Sequence, residues 1–245
     1  MKTGGFTTPR FDGPECLGEG GSGAWYDAGI IPEEARSGVI AEVLENGGIE
    51  PIRDSKSLVT QVFKRAVIDL TREHSYPKTE ALGLSLAGRL IVASEALFPA
   101  VKNFRPDEVA VQIYPAGTEL GLGWHRDHIN DLFAVISATL AGSGDIVFSN
   151  KPPKQAREAA AQGHPTDAGK ITTNTGDAVF FSSSRLYLPT DLNHAIRRAH
   201  AVTNIGQGEP RFSLQFRMEV NAGDYDNTPV NHDQPKRSDR PGPSY

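Results

Sequence analysis

The sequence predicts a mainly β fold with flanking helices, in which the strands form a jelly roll. Two observations support this prediction. From Glu108 onward, short segments rich in β-branched and aromatic residues are separated by turn residues. Apolar repeats of helical spacing are instead concentrated ahead of Glu108. Strands that follow one another in this way are typical of a β-sandwich or jelly roll rather than of βαβ units.

Two helices are predicted ahead of the strands. The first begins at Pro32, because proline is favoured in the first turn and acidic residues follow beside the positive end of the dipole; it ends at Gly47. The second covers residues 86–97, where apolar residues recur every three or four positions, and it ends before Pro99. The segment 57–70 stays ambiguous, because its β-branched residues favour a strand as readily as a helix.

Seven later segments are predicted to be strands because they combine β-branched or aromatic residues with flanking turn residues. They are Val109–Tyr114, Phe133–Leu140, Asp145–Phe148, Lys170–Thr173, Ala178–Phe181, His194–Val202 and Phe212–Val220. The polar insertion 150–169 interrupts the series, and we interpret it as a mobile loop or a short helix that roofs a compact pocket.

The chain of 245 residues is long enough for one well-filled domain, which we place at residues 24–222. Residues 1–23 are rich in Gly, Thr and Pro and are predicted to be a flexible N-terminal segment. Residues 223–245 are rich in Asp, Asn, Pro and Arg, and a disordered tail is predicted there.

Composition excludes several classes of protein. Cys16 is the only cysteine, so an intrachain disulfide and a Cys-rich zinc site are both excluded. The first residues lack the apolar core of a secretory signal, and no run approaches the roughly 18 apolar residues of a membrane span. The formal net charge of −5 argues against binding long stretches of phosphate backbone. These features predict a cytoplasmic protein without membrane contact, and they leave its oligomeric state unknown.

His125 and Asp127 are the first candidate metal ligands. On an extended chain, residues i and i+2 point to the same face, so the two side chains can reach one point together. One imidazole and one carboxylate are two members of the 2-His-1-carboxylate set that binds non-haem Fe(II). Because an H-x-D triplet occurs by chance in many chains, a third ligand has to support it.

We predict that His194 is the third ligand. It opens a predicted strand after a loop, where its side chain can project inward. His200 has an even offset from His194 and shares its face, but it would lie about 20 Å further along a regular strand. We therefore interpret His200 as a structural or surface histidine.

The segment Arg211–Arg217 alternates polar and apolar residues, as a half-buried strand does. One interpretation is a solvent-facing stripe with hydrated arginines. The other places Arg211 and Arg217 inside the barrel, where they need an anionic partner to offset their desolvation. Because guanidinium groups pair with carboxylates through two parallel hydrogen bonds, a dicarboxylate ligand would satisfy them.

Taken together, these motifs resemble those of the AlkB-like family of Fe(II)/2-oxoglutarate dioxygenases. The family motif is H-x-D, a distal His, and a strand R-x-[NS]-x-x-x-R about 17 residues after that His; here 211 − 194 = 17. The resemblance covers roughly residues 77–220 and also takes in Phe104-Arg-Pro-Asp-Glu, Tyr114-Pro-Ala-Gly, Gly176-Asp and Ser184-Arg-Leu-Tyr. It implies a double-stranded β-helix, the jelly-roll core that cupins also have.

The resemblance also implies roles for individual residues. The positions that match the family's Fe(II) ligands are His125, Asp127 and His194. The positions that match its 2-oxoglutarate contacts are Arg211, Arg217, Tyr114, Ser213 and Gln112. Arg211 would pair with the distal carboxylate of 2-oxoglutarate, and Arg217 would lie near the carboxylate that chelates iron. Gln112 stands where the family often has Asn, so it keeps an amide on a longer side chain.

The implied reaction uses Fe(II), 2-oxoglutarate and O2 to hydroxylate a C–H bond. Where the hydroxylated carbon is bonded to nitrogen, the product releases an aldehyde, which is demethylation. Only the substrate decides between the two outcomes. A cupin-like binding module without turnover is the non-enzymatic alternative, and retention of all three ligands and both arginines argues against it.

The sequence departs from nucleobase-repairing members of the family at two places. Ile129 occupies a position where those members carry an acidic group, and the N-terminal half shows no match to their aromatic lid. We therefore favour a small-molecule substrate, such as a nucleotide or a natural-product intermediate. Demethylation of alkylated nucleobases in DNA or RNA is the alternative, with scattered basic residues, Arg198 among them, as its rim. Trp124 either stacks on the substrate or belongs to the core.

Overall fold

The computed structural model describes residues 10–17, 21–46, 48–51, 61–71, 76–127, 134–163, 168–182 and 198–218. Its α-helices are α1 (Glu33–Asn46), α2 (Pro77–Ser94) and α3 (Pro153–Ala161). Its strands are β1 (Ala24–Asp27), β2 (Glu50–Pro51), β3 (Lys64–Asp69), β4 (Glu108–Tyr114), β5 (Leu120–His125), β6 (Ala134–Ala141), β7 (Gly144–Ser149), β8 (Lys170–Thr173), β9 (Ala178–Ser182), β10 (Ala199–Thr203) and β11 (Arg211–Arg217). Two short 3-10 helices cover Pro14–Leu17 and Pro99–Asn103.

The strands form two antiparallel sheets that face each other. The larger sheet has the order β1-β9-β6-β11-β4-β3-β2, and the smaller has the order β5-β10-β7-β8. Most neighbouring strands are not consecutive in the sequence, because the chain crosses repeatedly from one sheet to the other. This arrangement with flanking helices is a double-stranded β-helix, which confirms the predicted fold class.

The main core lies between the larger sheet and helices α1 and α2. On β11, Phe212, Leu214 and Phe216 belong to this core together with apolar residues of both helices. Arg211, on the other face of β11, donates hydrogen bonds to Thr139 of β6 and Thr173 of β8, so it lies between the two sheets. The apolar face of β11 therefore carries the helices, and its polar face lines the interior.

Glu42 joins the two helices at the start of α2. Its carboxylate accepts hydrogen bonds from the backbone N–H groups of Lys78 and Thr79, at 2.9 and 2.8 Å. The hydroxyl of Thr79 donates to the same carboxylate at 2.7 Å. Because the first N–H groups of a helix have no partner within the helix, this buried carboxylate supplies one and favours the positive end of the helix dipole.

Several predicted elements match the structure closely. Helix α1 agrees with the prediction, and α2 ends before Pro99 but begins at Pro77, ahead of the apolar repeat. The ambiguous segment contains strand β3. Strand β10 begins at Ala199, later than predicted, and residues 194–197 of the predicted strand lie outside the described residues.

Part of the N-terminal segment is described by the structure. Leu17 is fully buried in the main core, so the prediction of a flexible segment is wrong for the 3-10 helix Pro14–Leu17. Residues 1–9 and 18–20 of this segment lie outside the described residues, as does the predicted tail 223–245. Among the helices that are described, none has the length and apolar character needed to cross a membrane.

Helix α3 lies within the insertion and packs on the outer face of the smaller sheet. Its Ala156 is buried against Trp124 of β5 and Val147 of β7. Trp124 precedes His125, so the two side chains point to opposite faces of β5. The expectation that this insertion roofs the site is therefore wrong for α3, which supports the sheet from outside.

Two glycines of α2 test how closely the helix packs on β11. A Cβ at Gly83 would lie 2.8 Å from the ring of Phe216, whereas a Cβ at Gly88 would meet nothing within 4 Å. We expect Gly83→Ala to lower the free energy of unfolding by about 1–3 kcal/mol, because the added methyl overpacks the interface. Gly88→Ala is expected to raise it by about 0.5–1 kcal/mol through helix propensity.

Urea denaturation followed by far-UV circular dichroism measures both variants. Gly88→Ala is the matched control, since it makes the same chemical change in the same helix. Equal stabilisation by the two substitutions would contradict the close contact between α2 and β11.

Candidate metal centre

Two neighbouring strands of the smaller sheet bring two histidines together. His125 is the last residue of β5, and His200 is its direct partner on β10. Asp127 follows two residues after His125. One ligand atom from each of the three side chains lies within 4.8 Å of the other two. The cluster therefore contains two imidazoles and one carboxylate, the ligand set of non-haem Fe(II) sites.

Backbone carbonyls fix the orientation of both rings. His125 Nδ1 lies 2.9 Å from the carbonyl oxygen of Gly123, and His200 Nδ1 lies 3.4 Å from that of Arg198. Because a carbonyl oxygen only accepts, Nδ1 carries the hydrogen in each ring and Nε2 keeps its lone pair. A second hydrogen bond of this kind orients most metal-binding histidines. Both rings are therefore in the tautomer that presents Nε2 as a ligand.

Burial affects the protonation of His125 and the hydrogen bonding of His200. Burial, together with the neighbouring His200 ring 4.3 Å away, lowers the pKa of His125 to about 4. His200 is 3% exposed, and its Nε2 has no hydrogen-bond partner among the described residues. It lies 3.6 Å from Asp127 Oδ2. Since metal binding requires neutral imidazoles, a divalent ion would satisfy this buried nitrogen and the carboxylate together.

An aromatic ring holds His200 from the larger sheet. Phe181 of β9 stacks on the imidazole with ring centroids 4.9 Å apart and an interplanar angle of 17°. Phe148 of β7 lies 6.4 Å from the same imidazole in a tilted orientation. These contacts limit rotation of the ring and exclude water from one side of it.

Arg217 connects the cluster to the larger sheet. Its Nη2 lies 3.9 Å from Asp127 Oδ1, and its Nη1 lies 3.8 Å from Glu108 Oε1. Nη2 also donates a hydrogen bond to Gln215 Oε1 at 2.7 Å. The guanidinium is therefore held between two carboxylates, one of which belongs to the metal cluster.

Arg211 lies further inside the barrel and is 1% exposed. Its guanidinium donates to the hydroxyls of Ser213 and Thr139 at 3.2 Å each and of Thr173 at 3.4 Å. No carboxylate in the described part of the chain pairs with it, and burial lowers its pKa. A buried cation that contacts only neutral groups is costly, so this arrangement fits an anionic ligand.

Strand β4 completes the surroundings of Arg211. Tyr114 is its direct partner across β4 and β11, with the Tyr114 ring 5.4 Å from the guanidinium carbon. Burial raises the pKa of Tyr114, so its hydroxyl stays protonated and donates to Gln112 Oε1 at 2.8 Å. Gly121 of β5 makes room for the ring, because a Cβ there would lie too close to Tyr114 for any real contact. The five residues predicted to contact 2-oxoglutarate thus lie on two adjacent strands.

Two predicted residues lie outside the described residues, namely His194 and Ile129. His200 is buried within the cluster, so the surface half of its interpretation is wrong, while its role as a structural histidine or a ligand stays untested. The distance argument against it depended on the assumed strand. We placed His200 about 20 Å along a strand that begins at His194, whereas β10 begins at Ala199 and sets His200 directly beside His125.

Trp124 belongs to the core instead of the interior. Its indole packs with Ala156, Val147 and two alanines of β10 on the face of the smaller sheet opposite His125. The suggestion that it stacks on a substrate is therefore wrong, and the alternative interpretation as a core residue holds. Alternation along β5 explains this, because residues 124 and 125 cannot share a face.

Three contributors to the site were not identified from the sequence. Thr139 and Thr173 contact Arg211 from β6 and β8, and Glu108 contacts Arg217 from β4. A threonine in a strand carries no signal by itself. Glu108 is the last residue of the motif Phe104-Arg-Pro-Asp-Glu, but its position opposite Arg217 depends on the pairing of β4 with β11.

No family model matches the chain, and no curated protein matches it. Solved structures share its fold. OsALKBH1 gives a TM-score of 0.55 at 14% identity, over 80% of this chain and 98% of that one. A prolyl hydroxylase from Trichoplax adhaerens, in complex with a hypoxia-inducible factor peptide, gives 0.52 at 13% identity, over 84% and 87%. The viral collagen prolyl hydroxylase vCPH from Paramecium Bursaria Chlorella virus-1, in its 2OG complex, gives 0.50 at 14% identity, over 81% and 97%.

At these identities the similarity shows the fold alone. OsALKBH1 and the two prolyl hydroxylases match the chain about equally well, so the comparison does not separate the AlkB-like group from other hydroxylases. The reaction that this chain catalyses is therefore indicated by its own side chains and not by these similarities.

The pKa of His125 predicts how the metal-free protein responds to acid. The folded value is about 4, and the unfolded value is about 6.5. Between these pH values the unfolded chain binds a proton that the folded chain does not. The contribution of His125 to the free energy of unfolding is therefore fully present above pH 6.5 and is lost as the pH falls toward 4. We expect this residue to contribute a loss of up to about 3 kcal/mol.

Chemical denaturation of metal-free protein between pH 4 and 7 measures this loss. His125→Gln is the comparison, since it removes the titrating group and should flatten that part of the profile. Parallel profiles for the two proteins would show that His125 is not buried in its neutral form.

Proposed function

We propose that this chain is an Fe(II)/2-oxoglutarate-dependent oxygenase that hydroxylates, or oxidatively dealkylates, a C–H bond. One observation carries the proposal. A cluster of two histidines and one aspartate, with His200 buried and the other two partly buried, and a buried Arg211 without a carboxylate partner in the described residues both lie between the same two sheets. A metal ion and an anionic ligand satisfy these two features, and 2-oxoglutarate supplies such an anion.

His125, Asp127 and His200 are proposed as the Fe(II) ligands. Their donor set fits the group, because two Nε2 atoms and a carboxylate converge, and this set binds non-haem Fe(II) in other proteins. His194, which the family spacing favours, is the alternative third ligand. His200 is preferred because its position beside His125 is fixed by strand pairing.

Arg211 is proposed to bind the distal carboxylate of 2-oxoglutarate. Ser213 and Tyr114 flank it, and the Tyr114 hydroxyl is held in place by Gln112. Arg217 stands at the metal end of the same interior, where the other end of the ligand would lie. The viral hydroxylase with this fold was solved with 2OG, which supports a cosubstrate of this kind.

Iron and 2-oxoglutarate, when bound, supply the activation of O2 and the oxidation of the substrate carbon. The chain's own residues bind and orient these groups. The hydrogen bonds at Nδ1 orient both imidazoles toward one point, and Arg211 is proposed to set the direction of the cosubstrate. The aromatic ring of Phe181 and the apolar residues around it exclude water from the His200 side of the cluster.

A small molecule is proposed as the substrate, and nucleic acid is the alternative. The net charge of −5 supports the small molecule. Arg198, part of the basic rim considered above, donates a hydrogen bond from Nη2 to the carbonyl of Gly21, so it also serves to hold the N-terminal segment. Proteins of this fold also include a hydroxylase solved with a peptide, so peptides belong in the test. A cytoplasmic location, expected from the single cysteine, is proposed with it.

Succinate formation tests the reaction and the substrate class together. Purified chain is loaded anaerobically with Fe(II) and 2-oxoglutarate, and O2 is then added with nucleosides, metabolites, methylated oligonucleotides or peptides. We expect stimulation above the uncoupled rate by one class only. If the iron-loaded protein forms no succinate under any of these conditions, the proposed function is wrong.

Single alanine variants identify the third ligand. His200→Ala is expected to abolish Fe(II) retention and succinate formation, because it removes one of the three proposed ligands. His194→Ala is the matched control and is expected to keep most of both. Iron content, cobalt(II) absorption and succinate are measured on each variant, and the opposite pattern would make His194 the ligand.

Arg211→Met separates binding of the cosubstrate from folding. An apolar side chain of similar length removes an unpaired buried charge, so stability is expected to change by less than about 1 kcal/mol or to rise. Affinity for 2-oxoglutarate is expected to fall by about 100-fold or more, since a charge-assisted bidentate pair is lost.

Titration of the manganese(II) form without O2 gives these affinities. A 2-oxo acid without the distal carboxylate should bind the variant and the wild type equally. Arg105→Met, which alters an exposed arginine paired with Glu80, is the control. Unchanged affinity of Arg211→Met for 2-oxoglutarate would reassign the cosubstrate site.

A further inference from the structure

Glu108 lies at the metal end of the interior without belonging to the metal cluster. Its Oε1 is 3.8 Å from Arg217 Nη1, while Arg217 Nη2 is 3.9 Å from Asp127 Oδ1. The three side chains are between 10% and 15% exposed, so water and salt screen their charges weakly. A change of charge at Glu108 therefore alters the electrostatic interaction between Arg217 and Asp127.

Strand pairing fixes Glu108 more firmly than Asp127. Glu108 and Arg217 are direct partners at the ends of β4 and β11 in the larger sheet. Asp127 follows the end of β5 in the smaller sheet by two residues. The guanidinium thus reaches from the larger sheet to the smaller one, with Glu108 and Gln215 as its partners on the larger sheet.

The charges at this end decide how well a cation is held. Imidazoles that bind a metal are neutral, so the three ligands contribute the single negative charge of Asp127, which the Arg217 cation beside it offsets. Glu108 restores one negative charge to the group. Because electrostatic interactions in a buried site are stronger than in water, this charge favours a divalent ion.

We propose that Glu108 is a positioning residue that offsets the charge of Arg217 and so keeps the Asp127 carboxylate available to the metal ion. It acts through Arg217 and does not touch the ion. The inference rests on the proposed function only in requiring that His125, Asp127 and His200 bind a metal.

Cobalt(II) titration of the full chain tests this role without turnover. Glu108→Gln keeps the shape and removes the charge, and it is expected to weaken cobalt(II) binding by about five- to tenfold. Glu108→Asp keeps the charge and is expected to stay within about twofold of the wild type. Glu80→Gln, which removes the carboxylate of an exposed arginine pair on α2, is the control and should have no effect.

The double variant Glu108→Gln/Arg217→Met removes both charges at once. It is expected to recover cobalt(II) affinity to within about twofold of the wild type, because the cluster again has one negative charge. Equal affinities of the wild type and Glu108→Gln, or no recovery in the double variant, would overturn the proposal.

Further variants keep the two proposals distinguishable. If replacing His125 or His200 by alanine leaves the cobalt(II) affinity unchanged, the assignment of the metal site is wrong and this inference falls with it. If Glu108→Gln does not fold, as judged by circular dichroism, Arg217→Met alone decides. It is expected to bind cobalt(II) more tightly than the wild type, and weaker binding would overturn the role of Glu108.

Discussion

The alternation of side chains along β11 is the constraint on which the rest of the structure depends. Leu214 and Phe216 pack against the helices in the main core, and this fixes Arg211 and Arg217 on the opposite face. A slip of one residue would exchange the faces and bury the arginines among apolar side chains. The hydrophobic core therefore enforces a polar interior, and apolar packing that has no part in the chemistry holds the functional residues in place.

Burying two guanidinium groups is costly, and the chain surrounds them differently. Arg217 lies between the carboxylates of Asp127 and Glu108. Arg211 contacts hydroxyl groups and the ring of Tyr114, which do not offset the desolvation of a full charge. This difference distinguishes the two ends of the interior. Under the proposed function, the arginine beside two carboxylates belongs to the metal end, and the other would pair with a ligand's carboxylate.

Much of this site could be predicted from local pattern, and the rest depends on tertiary structure. The i, i+2 spacing of His125 and Asp127 and the alternation around Arg211 needed only strand geometry. The start of β10 could not be predicted in the same way, because the residues directly beside His194 and His200 are Asn and Ala, which give no local strand signal.

Strand β5 was missed for a related reason. Its glycines have low strand propensity, yet Gly121 is required there because the Tyr114 ring occupies the space of a side chain. The hydroxyls of Thr139 and Thr173 come from two further strands, and only packing of the sheets brings them to Arg211. Contacts across sheets leave no periodic signal in the sequence.

The position of α3 changes where substrate selectivity has to be sought. A helix on the outer face of the smaller sheet braces β5 and β10, the two strands that carry the histidines, and leaves the interior to the larger sheet. At the metal end that sheet presents Arg217, whose cation faces two carboxylates. A phosphate backbone would find no net positive charge in this trio, because two negative charges outweigh one positive charge. Selectivity for the substrate is therefore to be sought among the side chains of the larger sheet that face the interior, and α3 is not among the elements that line it.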